Sequence, residues 1–169
     1  LEYLPESWLG DTDKDELFDI YEKVIDTDPY DIDTDDDGLP DGYEVLTLNT
    51  DPLEVDTDEN GISDADEDFD NDNLNNLGEY LNKTGPFNPD TDEDGLLDGD
   101  EIKTYKTDPL NPDTDNDGLL DGEEGYDGTI YKKYGVYFDP LNPDTNGNGI
   151  LDGDEVYTQS KNQSVETYD

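Results

Sequence analysis

A twelve-residue pattern, D-x-D-x-D-G-x-x-D-x-x-E, recurs seven times along this chain and constrains its fold more than any other feature. The copies begin at residues 11, 33, 56, 68, 90, 113 and 144, so successive starts are 22, 23, 12, 22, 23 and 31 residues apart. Self-similarity at a short period identifies an array of small units that pack chiefly on their neighbours. Of the 51 acidic residues, 31 fall at positions 1, 3, 5, 9 and 12 of the pattern, which sets them in register rather than spreading them along a solvated tract. Where one of those positions lacks an acid, the replacement is always Asn, at Asn60, Asn76, Asn146 and Asn148. Asn keeps an oxygen while dropping the charge. Like charges a few ångströms apart repel by ~1 kcal/mol per pair even in water, so this crowding needs a compensating partner.

Composition says what that partner cannot be. The 169 residues carry a formal net charge of -43, with eight lysines as the only cations, and 29% are hydrophobic. A chain this polar buries too little apolar surface to offset roughly 1–2 kcal/mol of backbone entropy per residue, so something other than a core must order it. There is no Cys and no His, which removes disulfides, thiolate sites, the usual zinc ligand and the usual general base. Nucleic acid and anionic membrane surfaces are repelled by such a charge, and no stretch is long and apolar enough to span a bilayer. The chain begins at Leu1 without Met or a leader-like segment, as a fragment or mature region would, so the missing leader carries no weight.

Hard, oxygen-seeking cations remain, and the spacing suits calcium. A Ca²⁺ ion takes six to eight oxygens, which such a loop supplies from side chains 1, 3 and 5, the backbone carbonyl of 7, position 9 directly or through water, and a bidentate Glu at 12; Gly at 6 permits the sharp turn. The expected ligands are Asp11, Asp13, Asp15, Leu17, Asp19 and Glu22 in loop 1, and Asp33, Asp35, Asp37, Leu39, Asp41 and Glu44 in loop 2. Loop 3 offers Asp56, Asp58, Asn60, Ile62, Asp64 and Glu67, and loop 4 offers Asp68, Asp70, Asp72, Leu74, Asn76 and Glu79. Loop 5 offers Asp90, Asp92, Asp94, Leu96, Asp98 and Glu101, and loop 6 offers Asp113, Asp115, Asp117, Leu119, Asp121 and Glu124. Loop 7 offers Asp144, Asn146, Asn148, Ile150, Asp152 and Glu155; with only three acids it is expected among the weaker sites. Magnesium fits less well, because it prefers a tight octahedron and retains its waters.

About seven ions are expected, and more if acids are shared. Loops 3 and 4 abut, so Glu67 or Asp66 is placed to serve two ions. The acids at position 11 (Asp66, Asp100, Glu123, Asp154) and the linker acids Asp28, Asp51, Asp108 and Asp139 are further candidates for second sites. For the linker acids, turn capping is the favoured alternative. Position 6 is Glu16 in loop 1 and Asn73 in loop 4; Asn tolerates left-handed backbone better than Glu, so loop 1 has the least favourable turn.

Linkers such as "KTDPLNP" (106–112), "NTDPLEV" (49–55), "DTDPYDI" (26–32) and "FDPLNP" (138–143) stop any helix begun at the preceding Glu. Each unit therefore reads as a loop, a helical turn or two such as "YEVLTL" (43–48) or "DEIKTY" (100–105), and a Pro-fixed return. The expected fold is mostly irregular: a calcium-stapled repeat array with short α-helical turns after each loop, little β structure and no large hydrophobic core. Residues 1–10 read as an N-terminal cap or linker and 11–124 as repeats 1 to 6. They are followed by a Tyr-rich insert (125–143), the seventh loop (144–158) and a tail (159–169).

The acids alone are common to several calcium loops. Position 7 separates them: it is always apolar here (Leu17, Leu39, Ile62, Leu74, Leu96, Leu119, Ile150), whereas an EF-hand usually has its apolar residue at position 8, and no loop here has long helices on both sides. With "KTDPLNPDTDNDGLLDGEE" (106–124) as the closest match, residues 11–158 resemble the bacterial thrombospondin type 3-like repeats and the short double-calcium segment of anthrax protective antigen. That resemblance implies ions that sometimes share acids, such as those matching Asp35, Asp37 and Glu44. It also implies a spacer or linker role in a secreted or cell-surface bacterial protein. The absence of Cys departs from the animal repeats and favours a bacterial version.

The insert "GYDGTIYKKYGVYFDP" (125–140) holds Tyr126, Tyr131, Tyr134, Tyr137 and Phe138. It is expected either to cover a local core or, as a hairpin, to present an aromatic face to a protein or glycan; the segment holding Trp8 reads either as a cap, with Trp8 packed on the first unit, or as the remnant of a preceding domain. The leading expectation is a monomeric, non-enzymatic structural module that folds on calcium uptake and joins flanking domains of the same chain. The alternative is a calcium-dependent, dockerin-like or adhesin recognition module acting through the insert. An enzyme finds no singular constellation among acids committed to repeats, and a disordered calcium buffer would gain no cooperative structure with calcium.

Overall fold

The structure is a computed structural model and describes residues 10–125 and 127–157. The expectations for Trp8, Tyr126 and the tail lie outside the described residues. Each loop ends in a short helical segment whose first residue is position 9. These are Asp19–Ile25 (α1), Asp41–Tyr43 (α2), a 3₁₀ turn Asp64–Asp66, Asn76–Asn82 (α3), Asp98–Asp100 (α4), a 3₁₀ turn Asp121–Glu123, and a helical turn over 152–157. The α2 and α4 turns widen into π-helical turns, Glu44–Leu48 and Glu101–Tyr105, so the stretches expected to be helical are helical. Among the described residues, Thr129–Tyr134 (α5) is the one helix that follows no loop. No strand occurs among the described residues. The expected irregular array of loops and short helices, without a sheet, is what the chain forms.

The helices stop early for a local reason. Asp26, Asn49, Lys83 and Lys106 each take a left-handed conformation directly after the last turn, and the Asp-Pro or Gly-Pro segments that follow cannot resume a helix.

The chain divides into two compact units, Leu1–Phe87 and Asn88–Asp169. In the first, Leu39, Leu48 and Ala65 form a small buried cluster flanked by Tyr43, Phe69 and Leu77. In the second, Leu119, Ile130 and Phe138 pack together with Tyr134, Val136 and Val156 around them. The insert thus contributes a helix and two core residues to its own unit. Among the described residues the buried set holds fourteen acids against eight apolar side chains, an interior that cannot be held by the hydrophobic effect alone.

Candidate metal centre

All seven loops share one scaffold of backbone-to-carboxylate hydrogen bonds. The residue before each loop accepts, through its carbonyl, the N–H of position 9: Asp41 to Ile32 at 3.0 Å, Asp98 to Pro89 at 3.1 Å, and so in every copy. One oxygen of the position-1 acid accepts from the N–H of position 6, as Asp33 does from Gly38 at 2.9 Å. Position 3 accepts from the N–H of position 5 (Asp35 from Asp37, 3.0 Å), and position 5 accepts from the N–H of position 7 (Asp37 from Leu39, 2.8 Å). The turn is left-handed at position 6, with Gly38 at φ 109° and Gly95 at φ 100°. Glu16 holds the same place at φ 82°, and its N–H reaches Asp11 at 3.3 Å, so loop 1 adopts the common geometry despite lacking glycine.

This scaffold aims the remaining oxygens inward. In loop 2, Asp33 Oδ1, Asp35 Oδ2 and Glu44 Oε2 are buried with no hydrogen-bond partner, and in loop 1 so are Asp13 Oδ2 and both Glu22 oxygens. Asp92 and Glu101 of loop 5 and Asp115 and Glu124 of loop 6 repeat the pattern. Carboxylate oxygens of Asp11, Asp13 and Asp15 lie within 4.8 Å of one another, as do those of Asp33, Asp35 and Asp37, and of Asp68, Asp70 and Asp72. Buried acids in this arrangement resist ionisation. Burial first, then repulsion from Asp35, Asp37 and Asp41, pushes Glu44 up to about 9. Burial and then Asp117, Asp115, Asp121 and Asp152 push Glu124 up to about 9, and Glu101 rises to about 8 for the same reasons. A divalent cation with oxygen preference satisfies all of these groups at once, so the residues present fit calcium.

Position 9 carries a recurrent hydrogen-bond clamp. Its carboxylate is clamped by Thr at position 2: the N–H of Thr34 donates to Asp41 Oδ1 at 2.8 Å and its hydroxyl to Oδ2 at 2.6 Å. The same clamp recurs at Thr57–Asp64, Thr91–Asp98 and Thr114–Asp121. Position 9 also faces the preceding loop. Asp41 joins Asp15 and Glu22, all three buried, with ligand atoms within 4.8 Å of one another. Position 9 of the following loop thus joins a second cluster; among the position-11 acids, Glu123 accepts from the N–H of Leu120 and Asp66 from the Asn75 amide.

The linker acids also cap. Asp28, Asp51, Asp108 and Asp139 each accept, at 3.2 Å, the N–H two residues ahead, and their own N–H groups donate to the position-2 threonine of the next loop. Threonines after the helices hold the position-12 acids, Thr50 donating to Glu44 at 3.1 Å and Thr107 to Glu101 at 2.9 Å. Reading acids alone misses both sets of threonines; the signal that finds them is the "TD" that recurs at positions 2–3 of five of the seven loops and in three linkers, at 27–28, 50–51 and 107–108.

Asn60 Oδ1 accepts from the N–H of Ile62 at 2.8 Å, as Asp37 does from Leu39, and its Nδ2 donates to Glu67 at 2.5 Å.

The site class is thus an array of acid-lined oxygen cages built to take divalent cations. The bacterial TSP3 repeat family matches residues 33–54, 90–112 and 113–129, which carry loops 2, 5 and 6, and so bears out the resemblance drawn from the sequence. No curated protein and no solved structure matches the chain. Among the described residues, no helix is long and apolar enough to cross a membrane.

Proposed function

We propose that the chain is a structural calcium-binding module that becomes rigid on metal uptake and serves as a spacer in a secreted or cell-surface bacterial protein. The observation that carries this is the recurrence of buried carboxylate oxygens without partners at positions 3 and 12, as at Asp35 and Glu44, Asp92 and Glu101, and Asp115 and Glu124. Unpaired buried carboxylates cost several kcal/mol each, so a cation that neutralises them strongly favours the closed fold at neutral pH. Extracellular calcium near 1 mM fills sites of ~10 µM affinity about a hundredfold over, which stabilises the folded state by ~2.7 kcal/mol per site. Ions within loops supply local order, and the buried Asp15–Glu22–Asp41 cluster supports ions that tie one loop to the next.

The insert supports the spacer reading over recognition. Ile130 and Phe138 are buried against Leu119, which commits apolar side chains of the insert to a local core. A calcium titration of chelated protein, followed by circular dichroism and by the single tryptophan's fluorescence, tests the proposal. A cooperative gain of structure is expected. Identical spectra with and without calcium would overturn it.

A further inference from the structure

Three asparagines of this chain are followed directly by glycine: Asn60 in loop 3, and Asn146 and Asn148 in loop 7. Such a pair carries its own chemistry. The backbone nitrogen that follows an asparagine can close a five-membered ring on the side-chain carbonyl carbon, and glycine, having no Cβ, hinders that approach least. Elsewhere the arrangement is missing: Asn88, Asn111 and Asn142 precede proline, whose nitrogen has no proton to lose, and Asn76, which precedes Leu77, is fully buried. All three Asn-Gly pairs are exposed, and a Cβ placed on Gly61, Gly147 or Gly149 would meet nothing within 4 Å, so water and base reach both partners of the reaction.

The closed loop ties up both reacting groups. The N–H of Gly61 donates to Asp56 Oδ2 and that of Gly149 to Asp144 Oδ2, both at 2.7 Å, and the N–H of Gly147 donates to the Asp144 carbonyl at 3.1 Å. A carboxylate that accepts an N–H opposes removal of its proton, which the attack requires. The side-chain oxygens are held too: Asn60 Oδ1 accepts from Ile62 and Asn148 Oδ1 from Ile150, each at 2.8 Å, and Asn146 Oδ1 from Asn148 at 3.0 Å. Ring closure has to break these bonds, so the reaction runs from the open loop.

Resting on the calcium reading above, we infer that Asn60, Asn146 and Asn148 are deamidation sites whose rate is set by the calcium occupancy of loops 3 and 7. In the open loop, solvent base takes the proton of the Gly61 nitrogen, which attacks Asn60 Cγ. The Cγ–Nδ2 bond breaks, the nitrogen leaves as ammonia, and a succinimide remains. Water then opens the ring, with no change of oxidation state. Opening at Cγ leaves aspartate; opening at the backbone carbonyl leaves isoaspartate, which adds a methylene to the main chain between positions 5 and 6. Aspartate gives loop 3 the five registered acids that loops 1, 2, 5 and 6 already carry, whereas isoaspartate lengthens the turn that Gly61 closes at φ 92°. A period without calcium is thus recorded covalently, as lost ammonia, in these two loops.

The test incubates the full chain at physiological temperature and mildly alkaline pH, with calcium or with chelator. Peptides covering 56–67 and 144–155 are followed by mass spectrometry, which reads each deamidation as a gain of one mass unit. A loop filled a hundredfold over its dissociation constant opens about a hundredfold less often, so deamidation of Asn60 is expected to slow by about that factor in calcium, and that of the loop 7 pairs by less. Glu67→Gln, which removes the bidentate ligand of loop 3, is expected to return Asn60 to the fast rate in calcium while Asn148 stays slow. Calorimetry of the wild type counts the bound calcium. Bound calcium with equal rates in calcium and chelator, or no mass gain in chelator, would overturn the inference, and neither result depends on a variant folding. No bound calcium would overturn the calcium reading itself.

Discussion

Asp37 accepts the backbone N–H of Ala65, 28 residues further along, at 2.9 Å through the carboxylate oxygen that its own loop leaves open. The same bond joins Asp15 to Gly42 at 2.9 Å, Asp94 to Gly122 at 3.2 Å and Asp117 to Gly153 at 3.2 Å. One acid thus shapes its own turn with Oδ1 and seats the start of the next helical turn with Oδ2. Stapling of consecutive loops is written into a position that a ligand count treats as local.

The seat explains glycine at position 10. A Cβ on Gly42 would lie 1.9 Å from the Asp15 carbonyl oxygen, and one on Gly122 would lie 2.5 Å from that of Asp94; both obstacles are backbone and cannot swing aside. Gly42→Ala and Gly122→Ala are therefore expected to destabilise the calcium-loaded protein by about 1–3 kcal/mol, the usual cost of overpacking. The measurement is the thermal midpoint in calcium, which should fall by several degrees. An unchanged midpoint in both variants would mean the loops do not sit as described.

The clamp at position 2 makes a second expectation. The Thr34 hydroxyl accepts the N–H of Asp28 at 3.2 Å and donates to Asp41 at 2.6 Å, tying linker, loop and helix start together. Thr34→Val keeps the shape but removes both bonds, and about 1–3 kcal/mol of stability should be lost, while Thr34→Ser should restore most of it. Denaturant midpoints of the two variants in calcium distinguish this from a role for the methyl group alone, in which case Ser would be the worse substitution.

Much of this architecture was legible in the sequence, and the parts that were not share a cause. Register, loop boundaries, helical turns after each loop and the Pro-fixed returns follow from the repeat, because identical local chemistry produced them seven times. The position-4 conformation did not show. Lys14, Asp36, Glu59, Asn71, Glu93 and Asn116 are all left-handed, yet they share no residue type that announces it. That Asp41 also lies beside Asp15 and Glu22 of the loop before is a contact between successive loops that the repeat pattern alone does not fix. The Asn residues were visible as replacements. Which atom of the amide faces Glu67 or Glu155 depends on the backbone N–H at position 7, which only coordinates reveal.

Acidity gives a third expectation, for the calcium-free protein. Glu22 is pushed up to about 7 by burial and then by Asp13 and Asp15, Glu101 to about 8, and Glu44 and Glu124 to about 9, from ordinary values of 4.5. A folded-state value raised above the unfolded one means the folded chain holds more protons, so this stabilisation is complete below about 4.5 and is lost as pH climbs through 7 to 9. In chelator, the thermal midpoint should fall from pH 5 to pH 9, and the double variant Glu44→Gln, Glu124→Gln should flatten the fall. A midpoint that rises with pH would contradict the burial of these carboxylates.

Position 7 allows a final contrast within a single pattern. Leu39 is fully buried, at 0% exposure, and meets Leu48 and Ala65 in one of the few apolar clusters the chain owns, whereas Ile62 at the equivalent place is 50% exposed. Truncating a buried leucine costs the transfer free energy of three carbons plus the cavity left behind, about 2–5 kcal/mol, whereas a half-exposed side chain off the core loses far less. Leu39→Ala should therefore lower the calcium-loaded thermal midpoint by many degrees and raise the calcium concentration needed for folding, and Ile62→Ala should do little of either. Comparable losses at both positions would mean that loop 3 packs like loop 2, and that its exposed isoleucine and amide-held glutamate do not set it apart.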